Sequence, residues 1–272
     1  MKIRKLVASL ILVIAFTQVY SFLSAVYGYF TIEKYTFVWN YWVIGFLALL
    51  LCGISLLFMR QEKFRRGAMF SLALFILYQG FSVYYYQIRI FIGAKSDQTP
   101  PFDFSGTILV LMAAILFILL FTFRKSTEQV KTDSSWKTKW RIAAAIFALI
   151  SAGAAIVSGI IITLHYVNTP SENDVYFITN SFDAVFAYAI ALILLVTVCV
   201  LFKRVSYILA ALSLAISFLY LSNYIWMEEW ARYSAEVAKA LGPSETRLFG
   251  FGLIIGISSL ISGIFQLVAT KD

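Results

Sequence analysis

IAAAIFALISAGAAIVSGIIITLHYV, residues 142–167, decides the class of this chain. It holds 26 residues without one Asp, Glu, Lys or Arg. A membrane helix needs about 20 predominantly apolar residues to cross the hydrocarbon layer. Arg141 closes the run on one side and Pro170 lies just beyond it on the other. A soluble core helix has no use for so long an unbroken stretch.

Working outward, seven more runs of this kind are found, at about 6–30, 38–59, 67–92, 105–123, 182–202, 205–227 and 248–269. Charged or Pro/Gly-bearing breaks separate them: Glu33-Lys34, Arg60 to Arg66, Pro100-Pro101, Arg124 to Arg141, Pro170 to Asp174, Lys203-Arg204 and Gly242-Pro243. The first run starts like a signal peptide, with Lys2, Arg4 and Lys5 ahead of it, but is too long for one and is read as a retained helix. Composition agrees: 61% of the 272 residues are hydrophobic and 13% charged, against about 25% charged in a soluble domain. Disorder and a disulfide scaffold are excluded on the same ground.

The net charge of +8 has a topological reading. With the N-terminus inside, 16 basic residues fall in inner segments and 6 in outer ones, while the acids divide 4 inside and 10 outside. This is the positive-inside pattern. Attraction to anionic lipid accounts for it, and no basic groove or motif points to nucleic acid. The expected environment is a cell membrane, crossed many times, with both termini inside.

Eight spans divide into four and four around the polar linker 124–141. SLALFILY (71–78) matches SLAISFLY (213–220) at five of eight positions, and FVWN (37–40) matches FITN (177–180) at its first and last. The offsets, 142 and 140, are close. The expected fold is therefore an all-α membrane protein with eight transmembrane helices, built as two tandem parallel four-helix repeats. Residues 1–123 form the first repeat, 124–141 a cytoplasmic linker and 142–272 the second. An even number of spans per repeat gives both the same orientation, with a symmetry axis expected along the membrane normal.

Helix association in lipid relies on close packing and polar contacts. Ser151, Ala155 and Gly159 recur every four residues on the fifth span, and Gly252, Gly256 and Gly263 make a stripe on the eighth. Such stripes serve either the bundle interior or a dimer face.

No Asp, Glu, Lys or Arg stands at the centre of a span, which disfavours proton pumps and ion-coupled carriers. Polar residues gather in the outer half of the third helix of each repeat. Tyr78, Ser82, Tyr85 and Arg89 share one face, with Gln79 beside them. Tyr220, Asn223, Tyr224 and Glu228 share a face in the second repeat. If these two helices meet, an Arg89–Glu228 pair closes the outer end of a cleft. Trp39, Trp42, Trp226 and Trp230 lie outside against Trp136 and Trp140 inside, a surplus suited to an amphiphilic ligand, a peptide or a membrane-protein partner. Trp226, Trp230, Tyr233, Val237 and Leu241 fall on one side of a further helical stretch, expected to project or lie on the surface and to stop at Gly242-Pro243.

Catalysis finds little support. His165 and Asp183 invite an acid–base pair, but no nucleophile elbow accompanies them; GISS (256–259) lacks the second glycine. One histidine and two separated cysteines, Cys52 and Cys199, exclude the multi-histidine and four-cysteine metal sites. No cofactor is expected. Two functions stay open: transport or amphiphile binding through an outer-facing cleft between the third and seventh helices, and an accessory, scaffold or immunity-type subunit docking another membrane protein.

Overall fold

A computed structural model describes residues 2–31, 39–83, 104–122, 134–164, 174–202, 206–233 and 235–270. Among these residues the chain is all-helical. The helices are α1 (Lys2–Thr31), α2 (Trp39–Arg60), α3 (Arg65–Val83), α4 (Phe104–Thr122), α5 (Ser134–Ile162), α6 (Asp174–Leu201), α7 (Tyr207–Tyr233) and α8 (Ala235–Ala269), with a short 3-10 turn at Glu62–Phe64. Each of the eight is long and apolar enough to cross a bilayer. The chain is a polytopic membrane protein by this criterion. Within a bilayer, helices are the form in which a single segment satisfies its own backbone.

Pairing follows chain order. α1 lies on α2, α2 on α3, α3 on α4, and α4 returns to α1. In the second half α5 lies on α6, α6 touches α7, α7 lies on α8, and α8 returns to α5. The halves meet chiefly where α1 lies on α7, with lesser α1–α6 and α4–α7 contacts. A two-fold axis between the halves would pair α5 with α3 as α1 pairs with α7. No α3–α5 pairing stands among the principal ones.

The first and fifth helices bury the same face. With Arg4 set on Arg141, Val7, Ala8, Ile11, Ile14 and Ala15 fall on Ala144, Ala145, Ala148, Ser151 and Ala152, and all ten are buried. The helices differ on the adjoining face. Ser9, Leu12 and Val13 are buried, the latter two packing against Ala211 and Ala215 of α7. Ile146, Leu149 and Ile150 occupy the matching positions of α5 and are about half exposed, at 53%, 53% and 47%. The third helices agree in a similar way: Ala68, Ser71 and Phe75 fall on Ala210, Ser213 and Ser217, all buried.

Arginines tie the helix ends together. Arg4 Nη2 donates to the Arg60 carbonyl at 3.3 Å, at the end of α2. Arg141 donates through Nε to the Leu201 carbonyl at 3.0 Å and through Nη2 to that of Phe202 at 2.6 Å, at the end of α6. The last carbonyls of a helix lack intrahelical partners and carry partial negative charge, so a guanidinium is the fitting cap. In each half an arginine on the first helix caps the second. All charged side chains described lie near this basic end of the bundle.

Both glycine stripes serve the interior. A Cβ on Gly256 would meet Leu221 Cγ at 2.7 Å, one on Gly263 Leu214 Cγ at 2.7 Å, and one on Gly159 Tyr188 Cε1 at 2.9 Å. Bare backbone is what lets α8 approach α7, and α5 approach α6, this closely.

One expectation is overturned. Gly242-Pro243 does not stop the helix: α8 runs through it, from Ala235 to Ala269. Pro243 removes one backbone N–H and crowds the preceding turn, yet the helix continues past it.

Candidate functional site

The polar run of α3 is described as far as Val83. Tyr78, Gln79 and Ser82 are half-buried near its end, while Tyr85 and Arg89 lie outside the described residues. On α7, Tyr220 and Tyr224 are half-buried and Asn223 is exposed. Glu228 belongs to α7 by its backbone, but its side chain, like those of Trp226 and Trp230, is outside what is described. The Arg89–Glu228 pairing, His165 and the side chain of Asp183 fall outside as well, as do Phe37 and Val38 and the side chains of the remaining residues of FVWN and FITN, whose backbones open α2 and belong to α6.

Among the described residues, α3 and α7 are not a principal pairing. α3 lies mainly on α4 and α2, whereas α7 lies mainly on α8 and α1. Tyr220 packs against the cluster of Ala152, Ala155, Ile190, Leu194 and Ile255, inside the second half. Its ring stands 3.7 Å from the Cβ position of Gly252 on α8. The aromatic face of α7 is thus turned partly toward its own four-helix unit, because Gly252 leaves room for a ring there.

A set of buried polar side chains bonded between helices lies deeper, toward the basic end. Ser151 and Ser259 share a hydrogen bond of 2.6 Å between α5 and α8, and the Ser151 hydroxyl also lies 3.2 Å from the Ile255 carbonyl. Ser262 donates to the Ala144 carbonyl at 2.8 Å. Gln266 Nε2 donates to Ser213 at 3.0 Å and to Ser262 at 3.2 Å, so one amide links α8 to α7 and reinforces the tie to α5. Ser9 lies 3.1 Å from the Tyr207 carbonyl, linking α1 to α7. The α5–α8, α7–α8 and α1–α7 pairs each carry such a bond, and in α5–α6 Thr163 and Tyr188 meet at 3.2 Å nearer the surface.

This network went unread in the sequence, although a signal was present. Ser259, Ser262 and Gln266 are spaced by three and four residues and so share a face of α8. Attention to charge and aromatics passes over such neutral groups. Chemically the network is a set of uncharged donors and acceptors spent on one another. Gln266 Oε1 is the exception, fully buried and without a hydrogen-bond partner, as is the Ser55 hydroxyl. Among the described residues no cluster of three or more His, Cys, Asp or Glu side chains could hold a metal ion.

Comparison with protein-family models, with curated proteins and with solved structures returns no match to this chain.

Proposed function

We propose that this chain is a non-enzymatic accessory or scaffold subunit of a cell membrane, acting through its surface on another membrane protein. One observation carries the reading. The interior hydroxyls of Ser151, Ser259 and Ser262 and the Gln266 amide are bonded helix to helix. Polar groups committed to each other favour a dry, fixed bundle over a path for solute, which would need free polar groups along its length.

The same proposal includes a tandem duplication, residues 1–123 and 142–272, joined by 124–141, with both termini inside. The shared buried face of α1 and α5, the shared buried positions of α3 and α7, and the paired arginine caps support it beyond the repeated words. Equal faces are what copied helices retain when both must line a four-helix core.

Amphiphile or peptide binding is the second reading, and Asn223 favours it. It is exposed on α7 next to half-buried Tyr224, so a polar group with an aromatic neighbour faces outward. A photo-crosslinking amino acid at Asn223, activated in intact cells, separates the two. A discrete protein adduct is expected. Adducts confined to lipid or a small amphiphile would overturn the scaffold reading in favour of binding.

A further inference from the structure

We propose that the first four-helix unit holds a binding site for an uncharged, hydroxyl-bearing lipid, built around the side-chain amide of Gln18 on α1. Gln18 follows Ile11 and Ile14 on the face of α1 that is buried in the core shared with α2, α3 and α4. Only 5% of the residue is exposed, yet its amide makes no hydrogen bond among the described residues. The described polar side-chain atoms that are wholly enclosed without a partner are Arg4 Nε, the Ser55 hydroxyl and Gln266 Oε1. The Gln18 amide is not among them. It is unbonded without being sealed in, so it borders open space within the unit.

A second amide stands at the same depth. On α3 the inward face runs Ala68, Leu72 and Phe75, and half-buried Gln79 comes next on it, one turn beyond Phe75. Arg4 and Arg65 both reach Glu62, at 3.9 and 4.0 Å, which sets the two helices level. Gln18 lies 14 residues beyond Arg4, and Gln79 lies 14 residues beyond Arg65. That is about 21 Å along each helix, or two thirds of a hydrocarbon layer of about 30 Å. Toward the basic end, Ile14, Leu51, Phe75 and Leu109 belong to one buried apolar cluster, so the site is blind and offers no route through the bundle. The described charged side chains lie at that basic end, so none of them matches a phosphate or an ammonium at this depth. An amide both donates and accepts, which suits a hydroxyl. α1 meets α4 only slightly, which leaves acyl chains a way out between those helices.

In the second unit both places are closed. With Arg4 set on Arg141, Gln18 falls on Ala155, fully buried in one apolar cluster with Ile255. With Ser71 set on Ser213, Gln79 falls on Leu221, which meets Gly256. A buried amide costs free energy unless it is bonded, and leucine at 18 would avoid that cost. A ligand supplies the missing partner. The site lies apart from the hydrogen-bond network on which the scaffold reading stands, so either can fail alone.

The test uses the full chain in membranes and a diacylglycerol with a diazirine at the head end of one acyl chain and an alkyne at its tail. A phosphatidylglycerol with the same chains is the control. After irradiation, peptide mapping is expected to find the diacylglycerol on α1 around residue 18 and on α3 around residue 79. Gln18→Leu should cut this labelling about tenfold, and Gln79→Leu severalfold. The melting temperature of Gln18→Leu in detergent should hold or rise, because an unbonded amide has been removed. Equal labelling of these segments by phosphatidylglycerol, no labelling there above that of the lipid-facing Leu149 segment, or indifference to Gln18→Leu would each overturn the proposal. So would a Gln18→Leu chain that melts lower or fails to fold, since its amide would then already have a partner within the protein.

Discussion

Replacing Gly256 and Gly263 together by alanine should loosen α8 from α7, and the geometry sets the size of the effect. The new methyl on residue 256 would lie 2.7 Å from both Cγ and Cδ2 of Leu221, with the Leu221 backbone nitrogen at 3.4 Å behind them. On residue 263 it would lie 2.7 Å from Leu214 Cγ and 3.3 Å from the Ala210 carbonyl. At both sites the clash reaches the branch carbon Cγ and not a terminal methyl alone, with backbone close behind, so relief requires the helices to part. Overpacking of this kind costs about 1–3 kcal/mol per site. Alanine also recovers helix propensity, worth up to about 1 kcal/mol per site. The double variant Gly53→Ala with Gly153→Ala removes that term, since a methyl at either position meets nothing within 4 Å. The two interface sites are two turns apart and share no partner, so their effects should add. The difference between the pairs is then about 2–6 kcal/mol. Unfolding in mixed micelles by SDS titration, followed by circular dichroism, measures it. Interface and open pairs of equal stability would refute the claim that these glycines admit the close contact of α7 and α8.

Arg141→Met should destabilise the fold by about 1–3 kcal/mol in the same assay, because two bonds from a guanidinium to the terminal carbonyls of α6 are lost; Arg4→Met, with one such bond of 3.3 Å, should cost less. A double-mutant cycle of Ser151→Ala and Ser259→Ala should give a coupling of about 0.6 kcal/mol, the usual size of a bond between membrane helices. Gln266→Leu should fall within about 1 kcal/mol of the parent, since losing two donated bonds is offset by removing an orphaned oxygen; Gln266→Glu, by burying a charge there, should be far less stable.

The spans were legible because the requirement behind them is one of length and apolarity alone. All eight runs fall on helices; the first, second and fourth agree with their expected bounds to within four residues, while the helices of the fifth, sixth and eighth begin 8 to 13 residues earlier than expected. The glycine stripes were legible too, since a missing side chain at a spacing of four or seven has few other uses. What surrounded α3 and α7 was not. Periodicity gives the face of a helix and says nothing of its neighbour, so whether two runs at equal depth meet is not written in the sequence; among the described residues α7 lies mainly on α8 and α1, and α3 on α2 and α4. The proline rule failed too: α8 continues through Pro243 into a stretch long and apolar enough to cross a membrane. The interior network was missed because serine and glutamine carry no charge to draw the eye, although their spacing on α8 was there to read.

The central claim is that two four-helix units lie in the membrane with the same orientation. In a Cys52→Ala and Cys199→Ala background, single cysteines at Ser96, Ser126 and Thr169 report the side of three connections to an impermeant thiol reagent, applied to intact cells and to inverted vesicles. Labelling of 96 and 169 from outside and of 126 only from inside is the predicted result. Position 126 reacting from outside, or 96 and 169 reacting from opposite sides, would contradict it.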